Sequence, residues 1–295
     1  MNPGFLWKPE YAYRPLQLFR RLRYRRYVTD EFATVALPWG MAIRIRPTET
    51  IGKSLLTLGI YELLVSEVLW RLTDPDDSAA DVGANIGYMT ALLSNRARSG
   101  KVWAFEPHPE VFAELEHNLV LNSGVGSSAT IATNAAVSDR SGTLMLVSPE
   151  GFAHNRGLSN VTADRTDGGR DCRAVQLDDV FPGNQRLGIV KIDVEGHERN
   201  VLIGGARLFG EGRVRDCLLE SHELYPNAVT EFLEGAGYSV FGLEKQFRGP
   251  ALTHPSETGR STWEPASLLA TRDPERARTR LAARGWHCLR RRGRT

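Results

Sequence analysis

The sequence predicts an α/β fold built on a mostly parallel, doubly wound sheet. From Ala79 onward, short apolar runs bounded by turn residues alternate with segments of helical spacing, which is the pattern of βαβ units. The strand candidates are residues 79–82, 101–106, 129–133, 187–193, 214–220 and 237–243. The helix candidates are residues 87–98, 109–122, 198–208 and 226–236. Right-handed crossovers between parallel strands favour an open sheet with helices on both faces.

Other segments precede or interrupt this alternation. Residues 14–27 place two leucines four apart among arginines, which indicates a short basic amphipathic helix. Residues 35–45 alternate apolar and polar side chains, which indicates a β-hairpin or a bent strand. Residues 61–72 have helical spacing and end at an Asp-Pro turn. The connection 148–171 has no periodicity and is typical of a lid, a binding loop or a disordered segment.

These patterns divide the chain into four predicted parts. They are a basic extension at residues 1–33, a hairpin and helix packed on the core at 34–78, the α/β domain at 79–245, and a C-terminal segment with an arginine-rich tail at 246–295. The N-terminal and C-terminal parts lie outside the main alternation of strands and helices.

The charge of the chain is unevenly distributed. The net charge of +2 combines +5 in residues 1–30 and +7 in residues 271–295 with −10 in the residues between them. An acidic body lacks the broad cationic face that general binding to DNA requires, although the basic ends are open to anionic partners. The three cysteines form no CxxC pair, and no apolar run approaches the roughly 18 residues of a membrane span. We therefore expect a cytoplasmic protein.

A small-residue turn between the first predicted strand and its helix indicates a cofactor site. It contains Asp81, Gly83, Asn85 and Gly87, and it lets the backbone approach a ligand closely in front of a helix N-terminus. Glu106 ends the second predicted strand, where an acid is placed to accept both hydroxyls of a ribose. The two signals together indicate an adenosine-containing cofactor.

The composition of this turn bears on which cofactor is bound. A dinucleotide site favours three glycines in G-x-G-x-x-G, whereas only Gly83 and Gly87 are present here. The carboxylate of Asp81 would repel a pyrophosphate but suits a cationic amine. S-adenosylmethionine carries an amine and a sulfonium and has no phosphate, so it fits these residues better than NAD.

At this point the chain resembles the FkbM family of S-adenosylmethionine-dependent methyltransferases. The resemblance covers about residues 35–272. It rests on motifs in the family's order, namely Gly59-Ile60-Tyr61-Glu62, DVGANIG at residues 81–87, Phe105-Glu106-Pro107, Asn134-Ala135-Ala136-Val137-Ser138, Leu177-Asp178-Asp179, and Lys191-Ile192-Asp193-Val194-Glu195-Gly196-His197-Glu198.

The resemblance implies a class I methyltransferase (Rossmann-like) sheet of seven strands with the last antiparallel, preceded by an N-terminal α/β extension. It also implies a cofactor bed at the ends of the first three strands. The implied cofactor residues are Asp81, Gly83, Asn85 and Gly87 for the methionine half, Glu106 for the ribose, Asn134 and Ala135 for the adenine, and Glu62 for closing the methionine pocket.

The acceptor side is expected at the ends of the fourth and fifth strands. Transfer of a methyl group to a hydroxyl needs a base, and Asp193 is the first candidate, followed by Glu195 and His222. The family implies a small-molecule acceptor such as a sugar, a glycolipid or a polyketide-type product. We assign no metal site, although Asp193, Glu220 and His222 are oxygen and nitrogen ligands of a suitable kind.

Alternatives remain open from the sequence. One is an RNA 2'-O-methyltransferase that uses the basic termini, and another is an NAD-dependent oxidoreductase. The basic segment 14–27 has two interpretations as well, a peripheral membrane contact or a helix packed on the domain with a solvated arginine face, of which the packed helix is favoured.

Overall fold

The six predicted strands all belong to one sheet, which has eight strands in total. The structure is a computed structural model that describes residues 8–26, 28–124, 128–148, 160–162, 168–221, 223–257 and 266–290. Its main sheet contains β3 (Ala79–Val82), β4 (Lys101–Phe105), β5 (Ala129–Thr133), β10 (Leu187–Ile192), β11 (Val214–Ser221), β12 (Ser239–Gln246), β13 (Gly249–Thr253) and β14 (Ala266–Thr271). The strands are numbered along the whole chain, including those outside this sheet.

The order of the strands confirms the predicted doubly wound topology. Across the sheet the order is β13-β12-β14-β11-β10-β3-β4-β5. The five strands from β11 to β5 are parallel, and β14 is antiparallel to both of its neighbours. The carboxyl ends of β3, β4, β5, β10 and β11 therefore meet at one edge, where a ligand is expected in an open α/β sheet.

The chain after residue 245 contributes two strands to the main sheet, whereas the predicted division of the chain ends the α/β domain at that residue. β13 returns from β12 as a hairpin in which Gly242 pairs with Thr253 and Gln246 with Gly249. β14 then inserts between β11 and β12. The boundary predicted at residue 245 therefore falls inside a hairpin, and residues after it complete the central sheet.

Alternating side chains along the buried strands contact two helical layers. Ile189 and Leu218 contribute to the core on one face, whereas Val190 and Leu219 contribute to the core on the other face. The first face is covered by α4 (Leu63–Leu72), α5 (Tyr88–Arg96) and α11 (Pro274–Leu281). The second is covered by α8 (Glu198–Gly204), α9 (Ala206–Gly210) and α10 (Ala228–Gly235). The predicted single helix 198–208 is thus two short helices that meet at adjacent glycines.

A hairpin packs on the edge of this structure, as the alternation at residues 35–45 predicts. β1 (Ala33–Ala36) pairs antiparallel with β2 (Ala42–Ile45). Asn118 and Asn122 of α6 (Pro109–Leu121) and its C-terminal cap accept hydrogen bonds from the β2 backbone N–H groups of Arg44, at 2.7 Å, and Ala42, at 2.9 Å. These bonds satisfy backbone N–H groups on the edge of β2 that faces away from β1.

The remaining elements surround the sheet. The N-terminus contains α1 (Pro9–Tyr13), α2 (Leu16–Leu22) and α3 (Thr50–Thr57). A second sheet has the order β6-β9-β7-β8 and consists of β6 (Ala136–Val137), β9 (Arg170–Val175), β7 (Gly142–Val147) and β8 (Asn160–Thr162), followed by α7 (Leu177–Val180). Among the helices that the structure describes, none is both long and apolar enough to cross a bilayer.

Candidate functional site

The turn after β3 brings three chain segments into close contact. The backbone N–H groups of Gly83 and Ala84 donate to the carbonyl oxygen of Phe105 at 3.0 and 2.9 Å. Gly83 has a φ of +78°, and a Cβ at this position would lie 1.8 Å from the carbonyl oxygen of Asp193. Gly87 begins α5 with a φ of +88°. The turn therefore needs glycine at residue 83 because the backbone after β10 leaves no room for a side chain.

Glu106 is fixed at the end of β4 by two backbone donors. Its Oε2 accepts a hydrogen bond from the Asn85 N–H at 3.0 Å, and its Oε1 accepts one from the His108 N–H at 2.8 Å. Burial raises the pKa of Glu106 to about 7, although both hydrogen bonds act in the opposite direction. A carboxylate has about four lone-pair sites, so each oxygen retains capacity to accept a further hydrogen bond from a ligand.

A cavity lies at the carboxyl edge of the main sheet. Three non-glycine residues of the described chain have positive φ, and all three line this cavity. They are Glu62, Asn85 and Glu195, with φ of +41°, +49° and +51°. The side chain of Asn85 accepts a hydrogen bond from the N–H of Ile86 at 2.7 Å, which stabilises this conformation. Left-handed backbone at residues with a side chain costs free energy and is concentrated at functional sites. The cavity at the carboxyl edge of the sheet is therefore the candidate site.

A buried lysine separates Asp81 from this cavity. Asp81 is fully buried, accepts a hydrogen bond from the Thr90 hydroxyl at 2.5 Å and has an oxygen 3.4 Å from Lys191 Nζ. Lys191 Nζ also donates to the carbonyl oxygen of Gly83 at 2.9 Å and lies 3.2 Å from Asp193 Oδ2. Lys191 lines the cavity and Asp81 does not. Asp81 therefore balances the charge of Lys191, whereas the sequence predicts a direct contact between Asp81 and the cofactor.

The electrostatics of this pair follow from burial. Burial lowers the pKa of Lys191, but the carboxylates of Asp193 and Asp81 outweigh it and raise this pKa above its ordinary range. Burial raises the pKa of Asp81, opposed by Lys191 and by the Thr90 hydroxyl. A protonated lysine flanked by two acids results at the floor of the cavity.

Three carboxylates meet beside the cavity, and two of them, Glu62 and Asp193, line it. Glu62, Asp193 and Glu220 each place an oxygen within 4.8 Å of the others. Burial, followed by the charges of Asp193 and Glu62, raises the pKa of Glu220 to about 9. Three neighbouring carboxyl groups do not all ionise at neutral pH, so this cluster retains a proton. Carboxylate oxygens at this spacing are also ligands of the kind that a divalent cation takes.

The other predicted residues have different positions relative to the cavity. Ala135 lines its apolar wall, and Glu195 lines it from the turn after β10. Asn134 is exposed and is not among the lining residues; its side-chain amide donates to the carbonyl oxygens of Glu106, at 2.8 Å, and Pro107, at 3.0 Å. Asn134 thus holds the loop after β4 in place, and its contact with the adenine stays a prediction. His222 lies outside the described residues.

Several lining residues were not identified from the sequence. Tyr61 and Tyr88 pack edge to face with ring centroids 5.8 Å apart, and Val161 of the connection 148–171 lines the same cavity. His197 lines it too, and its Nε2 is 2.9 Å from the Ser138 hydroxyl. Burial lowers the pKa of His197. The one sequence signal that could have identified Lys191 is the presence of a lysine in an otherwise apolar predicted strand.

Comparisons with known proteins match this part of the chain. Residues 81–240 match the Methyltransferase FkbM domain. The hexuronic acid methyltransferase AglP of Haloferax volcanii is 30% identical over 179 residues, which cover 60% of this chain and 69% of that protein. The 31-O-demethyl-FK506 methyltransferase FkbM of Streptomyces tacrolimicus is 32% identical over 198 residues, which cover 56% of this chain and 74% of that protein.

A solved structure of an S-adenosylmethionine-dependent O-methyltransferase from Thermotoga maritima aligns with a TM-score of 0.43 at 12% identity, covering 79% of this chain and 74% of that one. The matched domain spans more than half of the chain and contains the glycine turn, Glu106, Lys191, Asp193 and Glu220. The chain therefore belongs to the FkbM methyltransferase family.

Proposed function

We propose that this methyltransferase transfers the methyl group of S-adenosylmethionine to a hydroxyl oxygen of a small molecule. The observation that carries the proposal is one cavity with two acidic ends. One end contains the buried carboxylate of Glu106, which two backbone N–H groups hold in place. The other end is lined by Glu62 and Asp193, which cluster with Glu220.

The residues of the cavity fit this cofactor. Glu106 has remaining acceptor capacity for the two ribose hydroxyls, and the apolar wall from Ala135 to Val137 suits an adenine ring. Glu62 and Asp193 supply negative charge near the place of a cationic ammonium and sulfonium. A ligand with a pyrophosphate would face these same carboxylates, which disfavours the predicted alternative of an NAD-dependent oxidoreductase.

The chain's own residues would position the acceptor and take its proton. S-adenosylmethionine, when bound, supplies an electrophilic methyl group on sulfur. Asp193 remains our first candidate for the base, because it lines the cavity and belongs to the carboxylate cluster. Lys191 fixes the Asp193 carboxylate from one side at 3.2 Å. Glu195 lines the same cavity and stays a candidate, as does His222.

The ion pairs at the C-terminus bear on the predicted alternative of an RNA 2'-O-methyltransferase. Arg276 donates to Asp216 at 3.0 Å and to Asp74 at 2.7 Å, and Arg280 also pairs with Asp74. These arginines are engaged within the protein, so they contribute little to neutralising an RNA backbone. The charge count of the C-terminus therefore overstates how many arginines are available to an RNA substrate.

The acceptor class is inferred from the cavity and from the names of the relatives. One relative is named as a hexuronic acid methyltransferase and another as a 31-O-demethyl-FK506 methyltransferase. We propose a hydroxyl on a sugar, a glycolipid or a polyketide-type product. An acidic cluster suits such a neutral hydroxyl, because the cluster stabilises the proton that leaves the oxygen.

Calorimetric titration tests the cofactor. We expect S-adenosylmethionine to bind and NAD not to bind the wild-type chain. Glu106→Ala should weaken binding of S-adenosylmethionine by about 10- to 100-fold, because hydrogen bonds to a charged acceptor are lost. Glu110→Ala, an exposed acid four residues further on, is the matched control and should leave the affinity unchanged. Binding of NAD alone would refute the proposed cofactor.

Transfer of a labelled methyl group tests the acceptor. The enzyme would be incubated with labelled S-adenosylmethionine and separate sets of uronic acid glycosides, polyketide alcohols, amines and RNA. We expect label in at least one hydroxyl compound as an ether that resists mild base. Label only in amines or in RNA would contradict methylation of a small-molecule hydroxyl while leaving the proposed cofactor intact.

A further inference from the structure

Helix α2 presents its apolar side to solvent. Leu16, Phe19 and Leu22 are 75%, 65% and 74% exposed and lie on one stripe of the helix, three residues apart. Gln17 is buried and lies about 160° around the helix from the centre of this stripe, at 100° per residue. A helix packed on a domain normally buries its apolar stripe and exposes its polar side. This helix has the opposite orientation.

Polar contacts hold α2 in this orientation. The side-chain amide of Gln17 donates to the carbonyl oxygen of Leu56 at 3.0 Å, and the guanidinium of Arg14 donates to that of Gly59 at 2.9 Å. Both acceptors belong to α3 and the turn after it. The apolar stripe therefore points outward because specific hydrogen bonds attach the other side of the helix.

The stripe lies in a strongly cationic surface. Arg20, Arg21, Arg23, Arg25 and Arg26 are exposed on and after α2. The sequence from residue 11 to residue 29 contains no Asp or Glu. Exposed apolar side chains within arginines match the interface of an anionic bilayer, where acyl chains lie beneath phosphate groups.

The C-terminal end adds to the same surface. Leu16 and Arg20 line an open groove together with Leu289 and Arg290. The sequence continues from Arg290 with three more arginines. Arg290 thus lies at the same face as the arginines of α2. Two copies of this face would repel each other in a symmetric dimer, which disfavours a second copy as the occupant.

We propose that Leu16, Phe19 and Leu22 insert into the interface of an anionic phospholipid bilayer while the surrounding arginines contact its headgroups. The exposure of all three apolar side chains favours this peripheral membrane contact over the packed helix that the sequence favoured. Membrane binding does not depend on methyl transfer.

The attachment of α2 has a consequence for the cavity. The α3 segment that holds α2 also contributes Ile51 to the cavity wall, and the chain after it contributes Tyr61 and Glu62. Packed helices have axes about 10 Å apart, so docking would bring the cavity within about one helix layer of the headgroups. If the proposed function holds, an acceptor attached to a lipid would meet the enzyme at this surface.

Vesicle flotation of the full chain tests the membrane contact. The probes are vesicles of phosphatidylcholine alone and of phosphatidylcholine with about one third phosphatidylglycerol. We expect binding to the anionic vesicles that weakens with salt. The variant Leu16→Ser/Phe19→Ser/Leu22→Ser should lose on the order of a hundredfold in partition coefficient. Arg20→Gln/Arg23→Gln should lose about fivefold for each arginine.

A matched control distinguishes membrane binding by this face from nonspecific binding of exposed apolar side chains. Val120→Ser/Leu224→Ser removes apolar side chains that are 72% and 85% exposed elsewhere on the surface, and it should bind vesicles as the wild type does. Absence of binding by the wild type, or equal binding by the triple serine variant, would overturn the proposal. A dimer in light scattering that the triple variant abolishes would assign the face to a second copy instead. An unchanged affinity for S-adenosylmethionine shows that each variant is folded.

Discussion

Lys191 and Asp81 form a buried ion pair between adjacent strands, with Nζ and Oδ1 3.4 Å apart. Asp81 belongs to β3 and Lys191 to β10, and the two residues are directly paired in register. Lys191 also reaches Asp193 after the end of its own strand. The ammonium group of Lys191 therefore contacts both the buried Asp81 and Asp193, which lines the cavity.

Loss of this cation should destabilise the protein. Lys191→Met leaves Asp81 buried without its counter-charge, and breaking a buried pair in this way costs about 3–5 kcal/mol. We expect this decrease in the free energy of unfolding measured by urea denaturation near neutral pH. Lys191→Met/Asp81→Asn should recover more than half of the loss. A double variant no more stable than Lys191→Met would mean that the pair does not balance charge.

Glu106 should make stability depend on pH. In the folded chain the pKa of Glu106 is raised to about 7 from an ordinary value of 4.5. Between these values the folded chain retains a proton that the unfolded chain has lost. The contribution of Glu106 is therefore fully present below pH 4.5 and is lost as the pH rises through 7.

The comparison of wild type with Glu106→Gln measures this contribution. The difference between their free energies of unfolding should change by roughly 3 kcal/mol from the acid to the alkaline end of this window, with the wild type losing stability. Urea denaturation at several pH values gives the difference. Glu110→Gln serves as the control, and a difference that does not vary with pH would contradict the raised pKa.

Asp193 should affect the reaction more than cofactor binding. If it accepts the proton of the acceptor hydroxyl, Asp193→Asn should lower kcat by about 10²- to 10⁴-fold. The dissociation constant of S-adenosylmethionine, measured by calorimetry, should rise by no more than about tenfold, which is the effect of losing one negative charge near the sulfonium. The exposed Asp76→Asn is the matched control. An unchanged kcat would remove Asp193 from the role of base and leave Glu195 and His222 as candidates.

Gly83 should not tolerate a side chain. Alanine there combines a positive φ with a Cβ 1.8 Å from the Asp193 carbonyl oxygen, so the ends of β3 and β10 would have to separate. We expect a loss of at least about 3 kcal/mol in the free energy of unfolding. Gly124→Ala is informative as a control, because its φ of +81° is similar but nothing lies within 4 Å. It should cost only about 1–2 kcal/mol from the left-handed backbone.

The sheet could be predicted from sequence because its parallel strands are buried on both faces. Such strands appear as continuous apolar runs between turns, as β3 and β10 do. The proximity of Asn85 and Glu106 also followed, since the carboxyl ends of neighbouring parallel strands meet. β13 and β14 were not among the predicted strands. The pairing of β13 depends on the return of a hairpin rather than on its own pattern.

The details of the site were harder to predict because they depend on distant pairs. The contact between His197 and Ser138 joins residues 59 positions apart, and no local pattern indicates it. The same applies to Asn134, whose amide donates to the backbone of the loop after β4. The sequence indicates that Asp81 lies next to the turn. It does not indicate that the Asp81 carboxylate pairs with Lys191 on another strand.

The insertion of β14 between β11 and β12 has a consequence for folding during synthesis. β11 and β12 emerge from the ribosome before β14. β11 pairs with β10 on one side and with β14 on the other, whereas β12 joins the parallel strands only through β14. Until residue 271 is synthesised, β11 has an open edge next to its parallel neighbours, which is the kind of edge that promotes aggregation. The hairpin of β12 and β13 is local and forms without waiting for β14. The nascent chain therefore has an aggregation-sensitive interval that ends when its last strand closes the sheet.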